Sequence, residues 1–348
     1  MKKKIKVFAK IVFFLVTVFF LLFPLTEMFR VKNTKQMASY YYHFPDDSFD
    51  VVFLGTSITY SGFYPMQLWH DYGITSFNLG SANQTIPMSY YLIEEAIEKH
   101  SPKLIVLDCS MILEQKEVYA TPYLHFVTDN MPYFSPYRFK MFMNLAKHQY
   151  QEFLIPFVAY HDQFENLKKD KRLMLLSKYP LGARVRNSVY EEEFFEKHEI
   201  DRNVKLGQPA LEYLLKIKKL CDDKHVSLCL TQLPFISPGK SVSQEYYDER
   251  RSAAYMVGEF AEQNDMVFYN FVDDIDKIGI VKGDTTDGEH LNVRGGTKMT
   301  RYFAENVLVN YQLPDHRDDS RYDFMDKAYE EYLKFLQSEN TELPDLDA

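Results

Sequence analysis

The hydrophobic pattern begins with a long apolar run near the N-terminus. Residues 11–25 read IVFFLVTVFFLLFPL without a charged side chain. Together with the preceding turn from Val7 to Ala9, this run reaches about 19 residues, enough for a helix to cross ~30 Å of hydrocarbon. The pattern therefore predicts one membrane-spanning helix.

The charges beside this run predict its orientation. All of the charged side chains among the first ten residues are positive; they are those of Lys2, Lys3, Lys4, Lys6 and Lys10. By the positive-inside rule, the N-terminus stays in the cytoplasm and the rest of the chain lies outside the membrane. A cleaved signal sequence is an alternative, but residues 24–30 contain no small-x-small cleavage site. A buried core helix is the other alternative, and an unusual one behind a lysine cluster. We expect a single-pass anchor in the cell membrane.

The next part of the chain alternates short apolar runs with helical periods. The runs predict buried parallel strands at Asp50–Gly55, Ile74–Asn78, Leu104–Cys109, Val226–Gln232 and Met266–Phe271. The periods predict helices at Met88–His100, Ala210–Asp222, Glu245–Gln263 and Thr297–Val309. This alternation indicates an α/β domain with a five-stranded parallel sheet and helices on both faces.

The alternation of strands and helices is interrupted once, after the third strand. Residues of about 114–208 carry helical periods at Tyr137–Ala159, Phe164–Leu176 and Glu191–His198, which predict a helical insertion. We thus expect residues 1–29 to form the basic tip and anchor, residues 30–48 a stalk or a strap along the domain, residues 49–312 the α/β domain, and residues 313–348 a C-terminal helix and acidic tail.

Composition excludes several functions. The net charge of -9, from 40 basic and 49 acidic residues, disfavours a nucleic-acid partner. Three cysteines cannot form a complete disulfide framework. The chain has no P-loop, no Gly-x-Gly-x-x-Gly after a strand and no metal-ligand spacing. We therefore expect no cofactor and no metal.

The first strand leads directly to a hydroxyl. Its sequence continues as Leu54-Gly55-Thr56-Ser57, which places Ser57 on the turn at the carboxyl edge of the sheet, where functional groups collect. Alone, Gly-x-Ser is a weak signal, since a serine here can simply cap a helix. A nucleophilic Ser57 needs an imidazole base and a carboxylate that orients it.

Two Asp-x-x-His tetrads could supply this base and carboxylate. The first, residues 222–225, precedes the fourth strand and so lies at the opposite edge of the sheet. The second, Asp287-Gly288-Glu289-His290, follows the fifth strand and shares an edge with Ser57. Position therefore favours His290 as the base and Asp287 as its partner, with Gly288 permitting the turn between them.

These residues resemble the SGNH, or GDSL-like, hydrolase and acyltransferase superfamily. The matching blocks are residues 53–57 (FLGTS), 77–85 (FNLGSANQT) and 287–292 (DGEHLN). The resemblance implies a three-layer, flavodoxin-like fold with Ser57 as nucleophile, His290 as base and Asp287 as orienting acid. It also implies that the backbone N–H groups of Ser57 and Gly80 contribute to an oxyanion hole.

One block departs from the family pattern. The family presents Gly-x-Asn-Asp after the third strand, and its asparagine completes the oxyanion hole; residues 107–112 here read LDCSMI. Asn83, or less plausibly Gln84, could supply the missing amide. Cys109 and Ser110 also end a strand at this edge, but no neighbouring base is evident, which favours a core thiol and a turn hydroxyl.

The anchor and the three blocks resemble membrane-anchored bacterial surface members of the superfamily. This likeness implies a cell-envelope polysaccharide or teichoic acid as acceptor and a membrane-bound O-acyltransferase as a donor of acyl groups. A segment similar to residues 160–164 occurs in that subgroup, so His161 is a further residue of interest, with a satisfied helical histidine as the alternative. A non-catalytic glycan-binding or scaffold protein is the second function class.

Overall fold

A computed structural model describes residues 2–30, 39–115, 121–146, 149–155, 180–238 and 242–338 of the chain. The strands are β1 (Val51–Leu54), β2 (Ser76–Asn78), β3 (Leu104–Asp108), β4 (Ser227–Gln232) and β5 (Val267–Asn270). The helices are α1 (Lys2–Arg30), α2 (Ser57–Gly62), α3 (Pro65–Tyr72), α4 (Ile86–His100), α5 (Thr121–Thr128), α6 (Pro136–Leu145), α7 (Tyr150–Leu154), α8 (Gln208–Lys224), α9 (Gln244–Gln263), α10 (Ile275–Ile278), α11 (Val293–Asn306) and α12 (Asp323–Ser338).

The five strands form one parallel sheet in the order β2-β1-β3-β4-β5. The predicted sheet is confirmed, with strand ends that differ by one or two residues. Strand β2 lies on one side of β1, and the next strand in the chain, β3, lies on the other side of β1. The direction in which strands are added therefore reverses between β1 and β3. Ligands of open parallel sheets bind at such a switch point, at the carboxyl edge.

Both faces of β1 are buried, as the continuous apolar run predicts. Val52 and Leu54 belong to one hydrophobic cluster, and Val51 and Phe53 belong to the cluster on the other face. All four side chains have no exposed surface. Since successive side chains of a strand point to opposite faces, helices must cover both sides of the sheet. This is the three-layer architecture that the sequence resemblance implies.

The N-terminal helix stands apart from this core. A stretch of 22 residues, Lys3–Pro24, has a mean hydropathy of 2.5 and is not buried in the protein. The hydroxyl of Thr17 donates to the carbonyl of Phe13 one turn back, so its polar group is satisfied within the helix. By length and composition, α1 could cross a membrane, and a signal sequence would meet the same criteria.

Residues 39–48 lie against the domain as a strap and do not stand free as a stalk. The side chain of Tyr41 is fully buried, and its ring stacks on Phe49 and meets the rings of Phe77 and His100. Aromatic burial thus outweighs the polar character of this segment, and of the two predicted alternatives the strap is the one present in residues 39–48. Residues 31–38 lie outside the described part of the chain.

The C-terminal helix is part of the domain. The indole of Trp69 on α3 donates to Asp326 on α12 at 2.8 Å. Tyr332, two turns further along α12, has no exposed surface. This packing covers the outer side of α3. The acidic tail, residues 339–348, lies outside the described residues.

The insertion is helical only in part. The predicted helix over Tyr137–Ala159 is present as two shorter helices, α6 and α7, and Phe164–Leu176 lies outside the described residues. The predicted helix Glu191–His198 is wrong, because these residues have no regular secondary structure. Their backbone groups bond to other elements instead: the Phe195 N–H donates to the Ile236 carbonyl, and the Phe195 ring stacks on Tyr247. Tertiary contacts outweigh local helix propensity here.

Candidate active site

Ser57 is placed by a sharp turn between β1 and α2. Gly55 has a φ of +146°, and a Cβ at this position would lie 2.3 Å from the Thr59 hydroxyl oxygen and 2.8 Å from the Asp108 Cβ. Only glycine fits this turn. Thr56 caps α2 by accepting from the Ile58 N–H, and Ser57, which is partly exposed, is the first residue of the helix. The capping role that a serine could have had here belongs to Thr56.

His290 lies directly beside this hydroxyl. Its Nε2 is 2.7 Å from the Oγ of Ser57, although 233 positions separate the two residues. The imidazole side chain is 13% exposed, so it is shielded from solvent on most sides. With Nε2 unprotonated, this geometry lets the ring accept the proton of the Ser57 hydroxyl.

Asp287 holds the other side of the imidazole. Its two carboxylate oxygens lie 3.0 Å from His290 Nδ1, which fixes the ring and favours a proton on Nδ1. Partial burial pushes the pKa of Asp287 upward, but the hydrogen bonds and charge of His290 and the charge of Arg186 outweigh it, and the net pKa is lowered. The carboxylate is therefore ionised throughout the neutral range.

The turn from Asp287 to His290 brings the side chains of these two residues into contact. Gly288 has a φ of +85°, and a Cβ there would meet the Ser237 carbonyl oxygen at 2.5 Å. Asn292 then caps α11 by accepting from two backbone N–H groups, while its amide donates to the Gly283 carbonyl at 2.6 Å. The Ile236 N–H also donates to the Gly288 carbonyl at 3.2 Å, so hydrogen bonds hold the chain on both sides of His290, as a preorganised base requires.

Arg186 is a residue of the site that sequence reasoning missed. Its guanidinium donates to Asp287 Oδ2 at 3.2 Å and to the Thr286 hydroxyl at 3.0 Å. The extended segment that carries Arg186 also bonds to the site: the Val293 N–H donates to the Arg186 carbonyl at 2.7 Å. Arg186 lies in the insertion, 101 positions before Asp287, and no spacing pattern in the sequence signals the contact.

The predicted oxyanion donors, Gly80 and Asn83, do not point to Ser57 through any described hydrogen bond. The N–H of Gly80 donates to the Asn78 side-chain oxygen at 3.0 Å, so this donor already has an acceptor. Asn83 lies on an exposed turn with a φ of +53°, and no hydrogen bond described for it reaches Ser57, Asp287 or His290. The turn is tied to the site through its neighbour, since the Ser81 N–H donates to the Gly55 carbonyl at 3.0 Å.

The divergent third block forms a buried polar cluster. Asp108 accepts from the N–H and the hydroxyl of Ser110 and from the N–H of Leu233. Burial raises the pKa of Asp108, opposed by these hydrogen bonds. Ser110 is 2% exposed and Cys109 is fully buried. This placement supports the interpretation of Cys109 and Ser110 as a core thiol and a turn hydroxyl.

The arrangement can perform nucleophilic acyl chemistry. It aligns a hydroxyl, an imidazole and an ionised carboxylate at the carboxyl edge of the sheet, which is the constellation that activates serine in many unrelated folds. Among the described residues, no group of three or more His, Cys, Asp or Glu side chains could hold a metal ion. His161 lies outside the described residues.

Solved structures similar to this chain include known types of esterase. One is a GDSL-like lipase from Bacteroides thetaiotaomicron, with 13% identity over 75% of this chain and 87% of that chain and a TM-score of 0.37. Another is an acetylxylan esterase from Geobacillus stearothermophilus, with 12% identity over 73% of this chain and 92% of that chain and a TM-score of 0.36.

No protein-family model matches the chain, and no curated protein is significantly similar to it in sequence. With TM-scores below 0.5, the similarity supports no conclusion about chemistry, which has to come from the geometry around Ser57.

Proposed function

We propose that this protein is a serine acyl-transfer enzyme of the SGNH type, an esterase or O-acyltransferase that works through an acyl-Ser57 intermediate. The observation that carries the proposal is the continuous array from Ser57 Oγ through His290 to Asp287, at 2.7 Å and 3.0 Å. A binding protein has no need for these three groups in this order. The 2.7 Å contact joins residues 233 positions apart, and the 3.0 Å contact orients the same imidazole, which together favour a catalytic role.

The first half of the reaction forms the acyl-enzyme. Ser57 Oγ attacks the carbonyl carbon of an ester, and its proton moves to His290 Nε2. The tetrahedral intermediate then breaks its bond to the leaving alkoxide, which takes the proton from His290 and departs as an alcohol. Asp287 stays ionised throughout and stabilises the imidazolium. Arg186, which donates to Asp287 Oδ2, keeps that carboxylate in place.

The second half returns the enzyme to its starting state. A hydroxyl group of water or of a second substrate gives its proton to His290 and attacks the acyl carbon. The Ser57 Oγ leaves and recovers the proton from His290. Hydrolysis and transfer use the same residues, and they differ only in which hydroxyl occupies the cleft.

The negative oxygen of the intermediate needs hydrogen-bond donors. The Ser57 N–H stands in the first turn of α2, where the amide groups have no acceptor within the helix. We propose it as the first donor. Asn83 is proposed as the second, and Gly80 can contribute only if it shares its N–H with Asn78. Each well-placed donor lowers the barrier by roughly 3 to 4 kcal/mol.

The substrates are proposed from the anchor. If α1 spans the membrane with its lysines in the cytoplasm, the catalytic domain faces the cell envelope. We propose a polysaccharide or teichoic-acid-type polymer as the acceptor and a membrane-bound O-acyltransferase as the partner that supplies the acyl group. Tethering raises the concentration of the domain near both.

Active-site labelling tests the proposal. The full-length protein in detergent is treated with a fluorophosphonate, which reacts with activated serines. We expect labelling that is lost in Ser57→Ala and kept in Ser188→Ala, because Ser188 is an exposed serine beside the same loop. Labelling that persists in Ser57→Ala would contradict the proposal. No labelling of any variant would favour the second candidate, a scaffold or glycan-binding protein, which the engaged Gly80 N–H and the divergent third block support.

A further inference from the structure

Two aromatic residues of the insertion contact the apolar N-terminal helix. The ring of Tyr133 meets Phe23 edge-on at 5.4 Å between centroids. The ring of Phe134 lies 6.3 Å from Phe23 and 6.2 Å from Phe19. Phe134 is nevertheless 75% exposed. A single exposed phenylalanine is ordinary on a protein surface, but one that packs on a helix of this kind has a defined place relative to a membrane.

The contact with Phe19 fixes the depth of Phe134. Both Phe19 and Phe23 lie within the apolar stretch Lys3–Pro24. Phe19 precedes the end of that stretch by five residues, about 7.5 Å along a helix axis. A ring that packs on Phe19 and Phe23 therefore lies among the acyl chains, within about 7.5 Å of the hydrocarbon edge, when α1 spans the bilayer.

The turn that carries these rings is held rigidly. The side chain of Arg138 is 2% exposed and donates to the carbonyl groups of Thr128 at 3.1 Å and Phe153 at 2.8 Å. It also reaches the Tyr133 carbonyl at 3.4 Å. One buried guanidinium thus ties the ends of α5 and α7 to the Tyr133–Phe134 turn, so this turn cannot easily fold away from the membrane.

A second pair of apolar side chains adjoins the turn. The Tyr133 hydroxyl donates to the Leu154 carbonyl, and the side chains of Leu154 and Ile155 are 38% and 48% exposed. We call Tyr133, Phe134, Leu154 and Ile155 the apolar rim. It joins an amphipathic tyrosine to three purely apolar side chains, a combination typical of membrane interfaces.

The apolar rim is also connected to the active site. The hydroxyl of Ser81 donates to the Phe126 carbonyl of α5 at 3.2 Å, and the Ser81 N–H donates to the Gly55 carbonyl. Helix α5 therefore stands between the turn that leads to Ser57 and the Arg138 contacts that hold the rim. The height of the rim sets the height of the site above the membrane.

We infer that the apolar rim inserts into the outer leaflet of the lipid bilayer and holds the catalytic cleft at the membrane surface. The occupant of this surface is lipid, because the depth argument places Phe134 among acyl chains. The inference rests on the proposed anchor role of α1. It goes beyond that role, since an anchor alone would leave the domain free to tilt and move away from the bilayer.

Fluorescence quenching in pure lipid vesicles tests the inference. The full-length protein has one tryptophan, Trp69, which is 2% exposed, so its signal serves as a constant background. We would introduce Phe134→Trp, and as a control Val309→Trp at a position that is 68% exposed and follows α11. Phospholipids brominated near the upper end of their acyl chains quench a tryptophan only at that depth.

We expect quenching and a blue-shifted emission for Phe134→Trp and neither for Val309→Trp. A third variant, Phe13→Trp, reports insertion of α1 itself. Because Phe13 lies near the middle of the stretch Lys3–Pro24, this variant is measured with phospholipids brominated near the methyl end of their acyl chains. If Phe13→Trp is quenched and Phe134→Trp is no more quenched than Val309→Trp, the apolar rim does not insert and the inference is overturned. A rim that binds a membrane protein would give this same result, because the vesicles contain lipid alone. If Phe13→Trp is not quenched, the anchor fails and the inference fails with it, while the chemistry at Ser57 is unaffected.

Discussion

The Nε2 of His290 lies 2.7 Å from the Oγ of Ser57, across 233 positions of sequence. The contact exists because β1 and the loop before α11 both open on the carboxyl edge of the sheet. If the three side chains act as one unit, removing any one of them should remove most of the activity, and removing two should cost little more than removing one.

We expect His290→Gln to lower kcat for an activated ester by at least about 1000-fold, because no other base among the described residues contacts Ser57. Asp287→Asn should lower it by about 100- to 10,000-fold, since the amide can stabilise the wrong imidazole tautomer. The kcat of the double variant should lie within about threefold of the kcat of the less active single variant. Losses that multiply in the double variant would show that the two residues act independently.

Arg186 should contribute through Asp287. We expect Arg186→Met to lower kcat by about tenfold with a small change in KM, because the carboxylate loses a charged partner but keeps its bonds to His290. Arg186→Lys keeps the charge and should restore part of the loss. Steady-state kinetics on a soluble ester give both values. If KM rises while kcat is unchanged, Arg186 binds substrate and does not position Asp287.

The turn at Gly55 predicts a stability effect with a matched control. Gly55→Ala combines a left-handed φ with close approaches to Thr59 and Asp108, and we expect it to lower the free energy of unfolding by about 2 to 4 kcal/mol. Gly279 has a φ of +76°, and a Cβ at this position would meet no atom within 4 Å, so Gly279→Ala should cost only about 1 kcal/mol. Equal losses in urea unfolding would show that the crowding at Gly55 is unimportant.

The sequence predicts the sheet well because its signals are local. Each buried strand is a short run of apolar residues such as 104–107, and each junction to a helix carries a glycine, a capping residue or a proline. Choosing between two Asp-x-x-His tetrads needed only the order of strands and helices. The positions of Ser57, Asp287 and His290 on one edge follow from that order.

The parts that sequence could not provide depend on long-range contacts. Arg186 reaches Asp287 from the insertion. Glu191–His198 is not helical, because Phe195 packs on Tyr247 and its N–H donates to the Ile236 carbonyl. Tyr41 is buried, whereas the polar residues around it left both a stalk and a strap open. In each case the local structure depends on a packing partner far along the chain, and a single sequence does not indicate which residue that partner is.

Buried His100 predicts how stability depends on pH. Burial, with a contribution from Lys99, lowers the pKa of His100 from 6.5 to about 3. Between these values the unfolded chain binds a proton that the folded chain does not, so stability is full above about pH 6.5 and falls as the pH decreases. The slope from this residue is at most about 1.4 kcal/mol per pH unit.

His100→Asn removes this titration while an amide oxygen can still accept from the Ser48 N–H, as His100 Nδ1 does. We expect the variant to be less stable at neutral pH, because the ring contacts with Tyr41 and Phe49 are lost, but to lose less stability between about pH 6.5 and pH 4. Urea unfolding at several pH values gives the slopes. Equal slopes in the two proteins would show that other groups dominate the pH dependence.

The buried thiols give a test that separates Ser57 from the alternative nucleophile beside it. Cys109, Cys221 and Cys229 are buried and unpaired in disulfides. Burial raises the pKa of Cys109 well above its ordinary value and that of Cys221 and Cys229 to about 12. Because the thiolate is the reactive form, iodoacetamide at about pH 8 should leave the folded protein unlabelled and fully active, and should label all three thiols in denaturant. Cys109→Ala should keep fluorophosphonate labelling at Ser57. Rapid alkylation of Cys109 in the folded protein, with parallel loss of activity, would instead place the nucleophile at the end of β3.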